Sequence, residues 1–392
     1  MQLSVIILNY NVRYFLELCV LSVQNAIQNI DAEIIVIDNN SQDDSCEMMK
    51  QRFPNVKLIE NKENTGFPKG NNIGVSQAKG EYICILNPDT VVAEDTFTKV
   101  LAFAKKQKDL GIVGVKLIDG TGNFLPESKR GVPRPFVAFS KITGLYKIFP
   151  QTFGQYYAQH LSENKTGKVD ILVGAFMLMK RELYNEIGGF DENCFMYSDD
   201  VDLSYMVLKT GKSNFYFHET SVIHYKGEST IKDGTYMKRT QEAMNFFYKK
   251  HFKISVLFSF FMEIGIVFFS IVKMFKGKPK PKTFPENYCL ISNDEILREK
   301  LENQLKKPIK HHDISQSFIK NTTTEIIFDQ NQLDFKTIIN ALEVNKNKGF
   351  TFKIIPKSSH FILGSNSSFD RGEVVEISDF YTFKNYQLTA KN

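Results

Sequence analysis

The sequence is poor in the residues that mark fibrous, mucin-like or disulfide-built proteins. Only 12 of its 392 residues are proline, 42% are hydrophobic and 24% are charged. That balance excludes a collagenous or mostly disordered chain. No stretch is of low complexity, and no repeat recurs at solenoid periods. The five cysteines (Cys19, Cys46, Cys84, Cys194, Cys289) are scattered, with no CxxC pair. Neither a zinc site nor a disulfide framework is indicated, and a reducing compartment is expected. The opening MQLSVIIL lacks a basic leader and a small-residue cleavage site, and its apolar run is too short for a signal peptide. It reads as a buried first strand of a protein facing the cytosol.

Broad positive charge is also lacking. The total is +5, but residues 249–282 hold eight lysines against one acid, Glu263, a net +7, which leaves −2 on the other 358 residues. A basic patch confined to one segment argues against nucleic acid as partner. Flanking an apolar run, it fits an anionic membrane surface. That run, Ile254–Phe275, has 22 residues, enough to span a bilayer. Glu263 near its centre would cost ~2.5–3.5 kcal/mol on insertion scales, and lysines at both ends name no inside. We read it as a helix or hairpin seated in the cytosolic leaflet, a peripheral or monotopic attachment.

The chain length suggests two domains or three. Residues 1–252 read as one domain, 253–284 as the membrane-associating segment and linker, and 285–392 as a second, small α/β domain. In the first, Val5–Leu8, Glu33–Asp38, Val56–Ile59, Tyr82–Leu86 and Gly111–Val115 have strand character. Helical spacing falls between them, at Tyr14–Ala26, Ser41–Arg52, Lys69–Lys79 and Thr96–Lys106. Alternating strands and helices predict a parallel sheet with ligands at the carboxyl ends of its strands. Polar clusters sit there: Asn9-Tyr10-Asn11, Asp38-Asn39-Asn40-Ser41 and Asn87-Pro88-Asp89-Thr90. Residues 120–168 read as a loop-rich insertion. Val201–Lys209 and 237–252 read as helices. The second domain alternates strand and helix in a Rossmann-like way, but no GxGxxG follows its first strand, so dinucleotide binding is not supported.

Several motifs occur in order: SVIILNYN (4–11), VIDNNSQDDS (36–45), NTGFPKGNNIG (64–74), ILNPDT (85–90), GGFDENCFMYSDDVDL (188–203) and VIHYKGEST (222–230). In this order they resemble the family 2 glycosyltransferases of the GT-A fold, especially the bacterial rhamnosyltransferase-like branch, over about residues 2–250. The resemblance implies transfer of a sugar from a nucleotide-diphosphate donor, with Mg²⁺ or Mn²⁺ and inversion at the anomeric carbon. With the membrane segment it also implies a lipid-linked or glycan acceptor in bacterial surface polysaccharide assembly. The rival reading is a non-catalytic GT-A-like membrane scaffold, fed by the Asn at 87 and the Asp at 199 where the family pattern has Asp and Glu. A nucleotidyltransferase would need a glycine-rich loop after the first strand, where this chain has Asn-Tyr-Asn-Val-Arg.

On this resemblance Asp38, Asn40 and Ser41 contact the nucleotide, although a capping turn would use the same residues. Tyr10, between Asn9 and Asn11, covers the base. Gly66, Lys69, Gly70, Asn71 and Asn72 form a polar loop before a helix, where phosphate meets backbone N–H groups. Asn87 and Asp89 stand for the DxD-type motif; Asp89 is the metal carboxylate, joined by His224. Mg²⁺ is content with one or two carboxylates plus phosphate oxygens and waters. In the Asp199, Asp200, Asp202 cluster, Asp200 is the general base and Asp199 its neighbour. Crowded like charges would ready a carboxylate for that role, though three acids also suit a helix N-terminus. Asp191 braces its loop or meets the acceptor, Gly174 leaves room for the sugar, and Arg130 and Arg134 are candidates for phosphate. The C-terminal domain is assigned docking of a partner or self-association.

Overall fold

A computed structural model describes residues 1–133, 157–194, 198–227, 236–252, 285–314, 323–366 and 372–377. The apolar segment at 253–284, Arg134 and Tyr197 lie outside them. Among the described residues no helix is long and apolar enough to cross a membrane.

The N-terminal domain is built on a nine-stranded sheet. Its strands are β1 (Leu3–Asn9), β2 (Ala32–Asp38), β3 (Lys57–Glu60), β4 (Tyr82–Leu86), β5 (Thr90–Val91), β6 (Leu110–Ile118), β7 (Gly167–Val169), β8 (Phe176–Lys180) and β9 (Ser213–His224). The order is β3-β2-β1-β4-β8-β6-β9-β5, with β7 paired to β9. The expected parallel sheet holds for β1–β4. It fails beyond, where β8 runs antiparallel to both β4 and β6, and β5 antiparallel to β9. Hydrophobic periodicity finds strands but carries no strand direction.

Every residue of β1 is buried, as expected of a strand covered on both faces. Val5 and Ile7 point into one core, with α1 (Arg13–Ala26), α2 (Ser45–Arg52) and α4 (Thr96–Lys106). Ile6 and Leu8 point into the other, with α3 (Gly66–Ser76), α5 (Arg181–Glu186) and α6 (Asp199–Lys209). The polar stretch from Gly66 to Asn72, read as a loop that overlaps the start of the expected Lys69–Lys79 helix, is the first part of α3. Its composition misleads for a packing reason. A Cβ on Gly70 would lie 2.5 Å from Leu8 Cδ1, and one on Gly74 would lie 2.4 Å from Ile37 Cδ1 and 2.6 Å from Ile6 Cγ2. Glycine lets α3 lie directly on β1 and β2. Pro68 falls in the first turn, where its missing N–H has no helical partner.

A long helix α7 (Tyr236–His251) closes the N-terminal domain. Its end is fixed by buried Asp202 of α6, which accepts from Lys250 Nζ at 2.8 Å and pairs with His251 Nε2 at 2.5 Å.

The C-terminal domain has six strands: β10 (Asn287–Ile291), β11 (Ile309–His311), β12 (Thr324–Asp329), β13 (Phe350–Ile355), β14 (Phe361–Gly364) and β15 (Glu373–Glu376), in the order β11-β10-β12-β13-β14-β15. The first four are parallel, and β14 and β15 join antiparallel. One face packs on α8 (Glu295–Leu305). The other packs on α9 (Phe335–Asn345), and this core runs on into the N-terminal domain. Phe328, Phe335, Ile338 and Leu342 share one buried cluster with Phe15, Leu18, Val91, Ile118, Ile223 and Tyr225. Polar ties rim the seam: Lys116 meets Glu343 at 2.9 Å and Lys336 meets Asp95 at 2.7 Å. Beside it Arg13, Glu17, Arg52, His360 and Glu376 line a cavity of about 620 Å³.

Replacing Gly74 with valine forces methyl groups into Ile6 and Ile37. We expect a loss of about 1–3 kcal/mol, read as a lower urea midpoint with an unchanged slope.

Candidate active site

The strand order reverses between β1 and β4, the place where open α/β sheets leave a crevice for ligands. At the end of β1 the buried Asn9 donates through Nδ2 to Asp38 Oδ1 (2.7 Å) and Ser41 Oγ (3.0 Å). The other oxygen of Asp38 accepts from the Ser41 amide at 2.8 Å. Asn11 and Asn40 hold positive φ, +54° and +64°, a region asparagine tolerates better than most residues. Both are exposed and Tyr10 is half-buried. The two loops are bound together, since Asn11 N donates to Ser41 Oγ (2.9 Å) and Gln42 N to Asn11 Oδ1 (2.6 Å).

Asn39, given no role by the sequence, is the hub of this rim. Its amide nitrogen donates to Asn64 Oδ1 and to the Gly66 carbonyl, and its oxygen accepts from Asn61 Nδ2, Thr65 N and Thr65 Oγ1. It fixes the start of α3. There Lys69 is exposed, Gly70 is turned to the sheet, and Asn71 is buried with its Nδ2 on Phe67 O. Asn72 faces elsewhere: it accepts from Tyr184 OH and Phe190 N and donates to Phe190 O, anchoring the GGFDE loop.

Asn87 and Asp89 follow β4. Pairing of β5 with β9 sets Thr90 opposite His224. This brings His224 Nε2 to 3.4 Å from Asp89 Oδ1 and 3.5 Å from Asn87 Nδ2. Asp89 and His224 are 4% and 5% exposed. Four buried polar atoms along this rim have no hydrogen-bond partner among the described residues: Asn9 Oδ1, Asn71 Oδ1, Asn87 Oδ1 and His224 Nδ1. Buried polar groups are nearly always satisfied, so such a row marks a surface made for a polar ligand. The donors fit a hard divalent cation in part: one carboxylate, one amide oxygen and one imidazole, the rest left to phosphate and water. Among the described residues no group of three or more His, Cys, Asp or Glu converges on a point.

Asp200, in the first turn of α6, lies across from Gly174. A Cβ on Gly174 would be 3.5 Å from that of Asp200, in ordinary contact. Asp199 and Asp202 share that first turn with it. Asp200 Oδ2 accepts from Arg130 Nη2 at 2.5 Å and from the Gly174 amide at 3.2 Å. A single antiparallel bridge to Ile171 sets Arg130 in place, and no sequence spacing announces that contact across 70 residues. Asp199 is buried beside Asp200, and Asp202 belongs to the α7 anchor.

Asp191 also meets α7, through Lys250 at 2.7 Å, and its Oδ1 accepts from Asn193 N at 3.0 Å. This is the bracing alternative of the two weighed for it.

The family profile "Glycosyl transferase family 2" matches residues 4–188. Residues 4–188, just under half of the chain, are similar to a family 2 glycosyl transferase domain. Asn9, Asp38, Asp89 and Gly174 all lie inside the matched region. Among similar proteins is the N-acetylglucosaminyl-diphospho-decaprenol L-rhamnosyltransferase of Mycobacterium tuberculosis, 28% identical over 212 residues, 51% of this chain and 68% of that protein. A poly(ribitol-phosphate) beta-glucosyltransferase of Bacillus spizizenii is 26% identical over 271 residues, 65% of this chain and 41% of that one. GalNAc-T7, solved with UDP, GalNAc and Mn²⁺, superposes with a TM-score of 0.45 at 18% identity, over 62% of this chain and 48% of that one.

Burial works to raise the Asp191 pKa, but the Lys250 and Asn193 hydrogen bonds outweigh it and hold the carboxyl below its usual range. Burial likewise works to lower Lys250, and Asp191 and Asp202 reverse that. The brace is therefore complete at neutral pH. Its Asp191 part is lost as pH falls through the depressed carboxyl pKa, and its Lys250 part as pH rises through the raised ammonium pKa. Lys250→Met is expected to melt lower at neutral pH and to lose less stability than wild type on acidification, read from melts across the carboxylate range.

Proposed function

We propose that the protein is an inverting glycosyltransferase that uses a nucleotide-diphosphate sugar and Mg²⁺ or Mn²⁺. The observation that carries this is the rim itself. Asp89 and His224 stand 3.4 Å apart at the switch point, flanked by buried polar atoms without partners, in a chain whose residues 4–188 are similar to a family 2 glycosyl transferase domain.

The nucleotide is assigned to the Asn9–Asn11 and Asp38–Ser41 loops, with Tyr10 over the base. Each Asp38 oxygen already accepts one bond, and a carboxylate oxygen has room for a second, which leaves capacity for ribose or base. The diphosphate is assigned to the N-terminal end of α3, near exposed Lys69, where the positive end of the helix dipole favours an anion. Asp89, with Asn87 and His224, would hold the cation, which supplies neutralising charge for the departing diphosphate. Gly174 leaves open the space between that rim and Asp200.

Asp200 is assigned the base role. With Oδ2 committed to Arg130 and Gly174, Oδ1 is the oxygen left to take the proton of the acceptor hydroxyl. The acceptor oxygen then bonds to the anomeric carbon from the side opposite the diphosphate, whose oxygen leaves with the electron pair. Arg130 keeps the carboxylate aimed and Asp199 packs beside it.

For the acceptor we propose a lipid-linked glycan, met at the cytosolic face of a membrane. The decaprenol-linked acceptor named for the mycobacterial relative supports this, as does the lysine-flanked apolar run at 254–275.

Two substitutions test the assignment. Thermal stability is measured against UDP, GDP, TDP and CDP, each with and without Mn²⁺; a ligand that binds only the folded state raises the melting temperature. One nucleotide is expected to give a Mn²⁺-dependent rise that Asp89→Ala abolishes. Asp200→Asn is expected to keep that rise and to lose transfer by at least about a hundredfold, the usual scale for a missing general base. A full rise with transfer untouched in Asp200→Asn would remove Asp200 from the chemistry. No rise with any nucleotide in a folded wild type would favour a scaffold.

A further inference from the structure

The Asp89–His224 pair depends on an unusually small element. β5 has two residues, lies at the edge of the sheet and, among the described residues, pairs only with β9. So short a ladder is marginal by itself, yet the two side chains it brings together are buried to 5% exposure or less. Something behind the ladder holds it.

Alternation along an extended chain separates two faces. Thr90 and His224 share one, and there His224 meets Asp89, which precedes β5, at 3.4 Å. Val91 and Ile223 take the other; with Tyr225 they are 0%, 0% and 2% exposed and belong to the cluster formed with α9 and the face of the C-terminal sheet. The Tyr225 amide donates to the Asp89 carbonyl at 3.0 Å, and its ring makes an edge contact with Phe15 of α1 at 5.1 Å. Three residues after Val91, the Glu94 carboxylate accepts from the first two amides of α9, Phe335 N at 2.8 Å and Lys336 N at 2.9 Å. Those N–H groups have no helical partner, and a carboxylate there also meets the positive end of the helix dipole. Asp334 Oδ1 takes the next free donor, Thr337 N, at 2.7 Å. The helix is thus seated on the chain that has just left the site.

We propose that the C-terminal domain is a positioning domain: α9, seated by Glu94, supports the β5–β9 ladder from behind and holds Asp89 and His224 at their spacing. The domain acts through the backbone of this ladder and touches no substrate. The geometric part stands independently of the proposed chemistry; its consequence for the cation and diphosphate rests on the donor-site reading.

The test uses the full chain. Backbone hydrogen exchange is followed in wild type, in Glu94→Gln and in Glu94→Gln with Lys336→Met. Loss of a good cap costs about 1 kcal/mol, about fivefold in an opening equilibrium. Exchange is expected to quicken by about that factor at the start of α9 and, in step with it, at β5 and 221–225, while β1 and β2 keep their rates. If α9 quickens and β5 does not, α1 alone holds the ladder and the proposal fails. If α9 itself is unmoved, Glu94 does not seat it and the proposal fails as well. In parallel, the Mn²⁺ concentration needed for half of the nucleotide-dependent melting shift is expected to rise by about fivefold in the variants. A wild type that responds to no nucleotide overturns the donor reading, and the exchange rates still decide the positioning.

Discussion

The pairing of Thr90 with His224 is the contact on which the site turns. It joins the end of β4, which carries Asn87 and Asp89, to the last residue of a twelve-residue strand from much later in the chain. Without it the sheet would still have a crevice at its switch point, and the Asn9–Asp38–Ser41 network would still stand. The crevice would lack its buried imidazole. The two domains meet behind this one contact, so a shared apolar core and a polar rim lie on opposite sides of two residues of backbone.

The site divides into a half made by local sequence and a half made by distant contacts. Asp38 and Ser41 act within a few residues of each other, and their partner Asn9 lies on the adjoining strand end. Asp200 is different. Its oxygen is fixed by Arg130 from a segment joined to the sheet by one bridge, and by the amide of Gly174. Lys250 and His251 add a third remote element through Asp202. A half-buried pair such as Arg130–Asp200 adds less to stability than its short distance suggests, since both charges were partly taken from water. What it supplies is direction for the carboxylate.

The sequence disclosed the first kind of structure and hid the second. β1, β2 and β4 are apolar runs ending in polar clusters, and those clusters lie where an α/β sheet binds ligands. Asp89 and His224 were placed together by the order of motifs, which the β5–β9 register realises. The start of α3 was illegible because Gly, Pro and Asn disfavour a helix by propensity, while the close approach to Leu8, Ile6 and Ile37 favours glycine at 70 and 74. Arg130 carries no local mark of its partner. Asn39 looked like one more turn residue because its five contacts reach back from residues 61–66. The seam between the domains was invisible for the same reason: Val91, Ile223 and Phe335 each read as ordinary core residues of their own element.

The distance along the chain between Asn87 and His224 is 137 residues, and the supporting helix begins at Phe335, later still. Contacts so far apart in sequence form slowly, since a long loop must close before they reward it. A chain emerging from the ribosome folds from its N-terminus. The Asn9–Asn11 and Asp38–Ser41 loops can therefore be in place while β9 is still being synthesised, and the imidazole edge arrives when that strand joins the sheet. The last part to form is the domain behind it. During synthesis the crevice exists before the rim is complete, and the order of residues in the chain makes the Asp89–His224 pair one of the late events of folding.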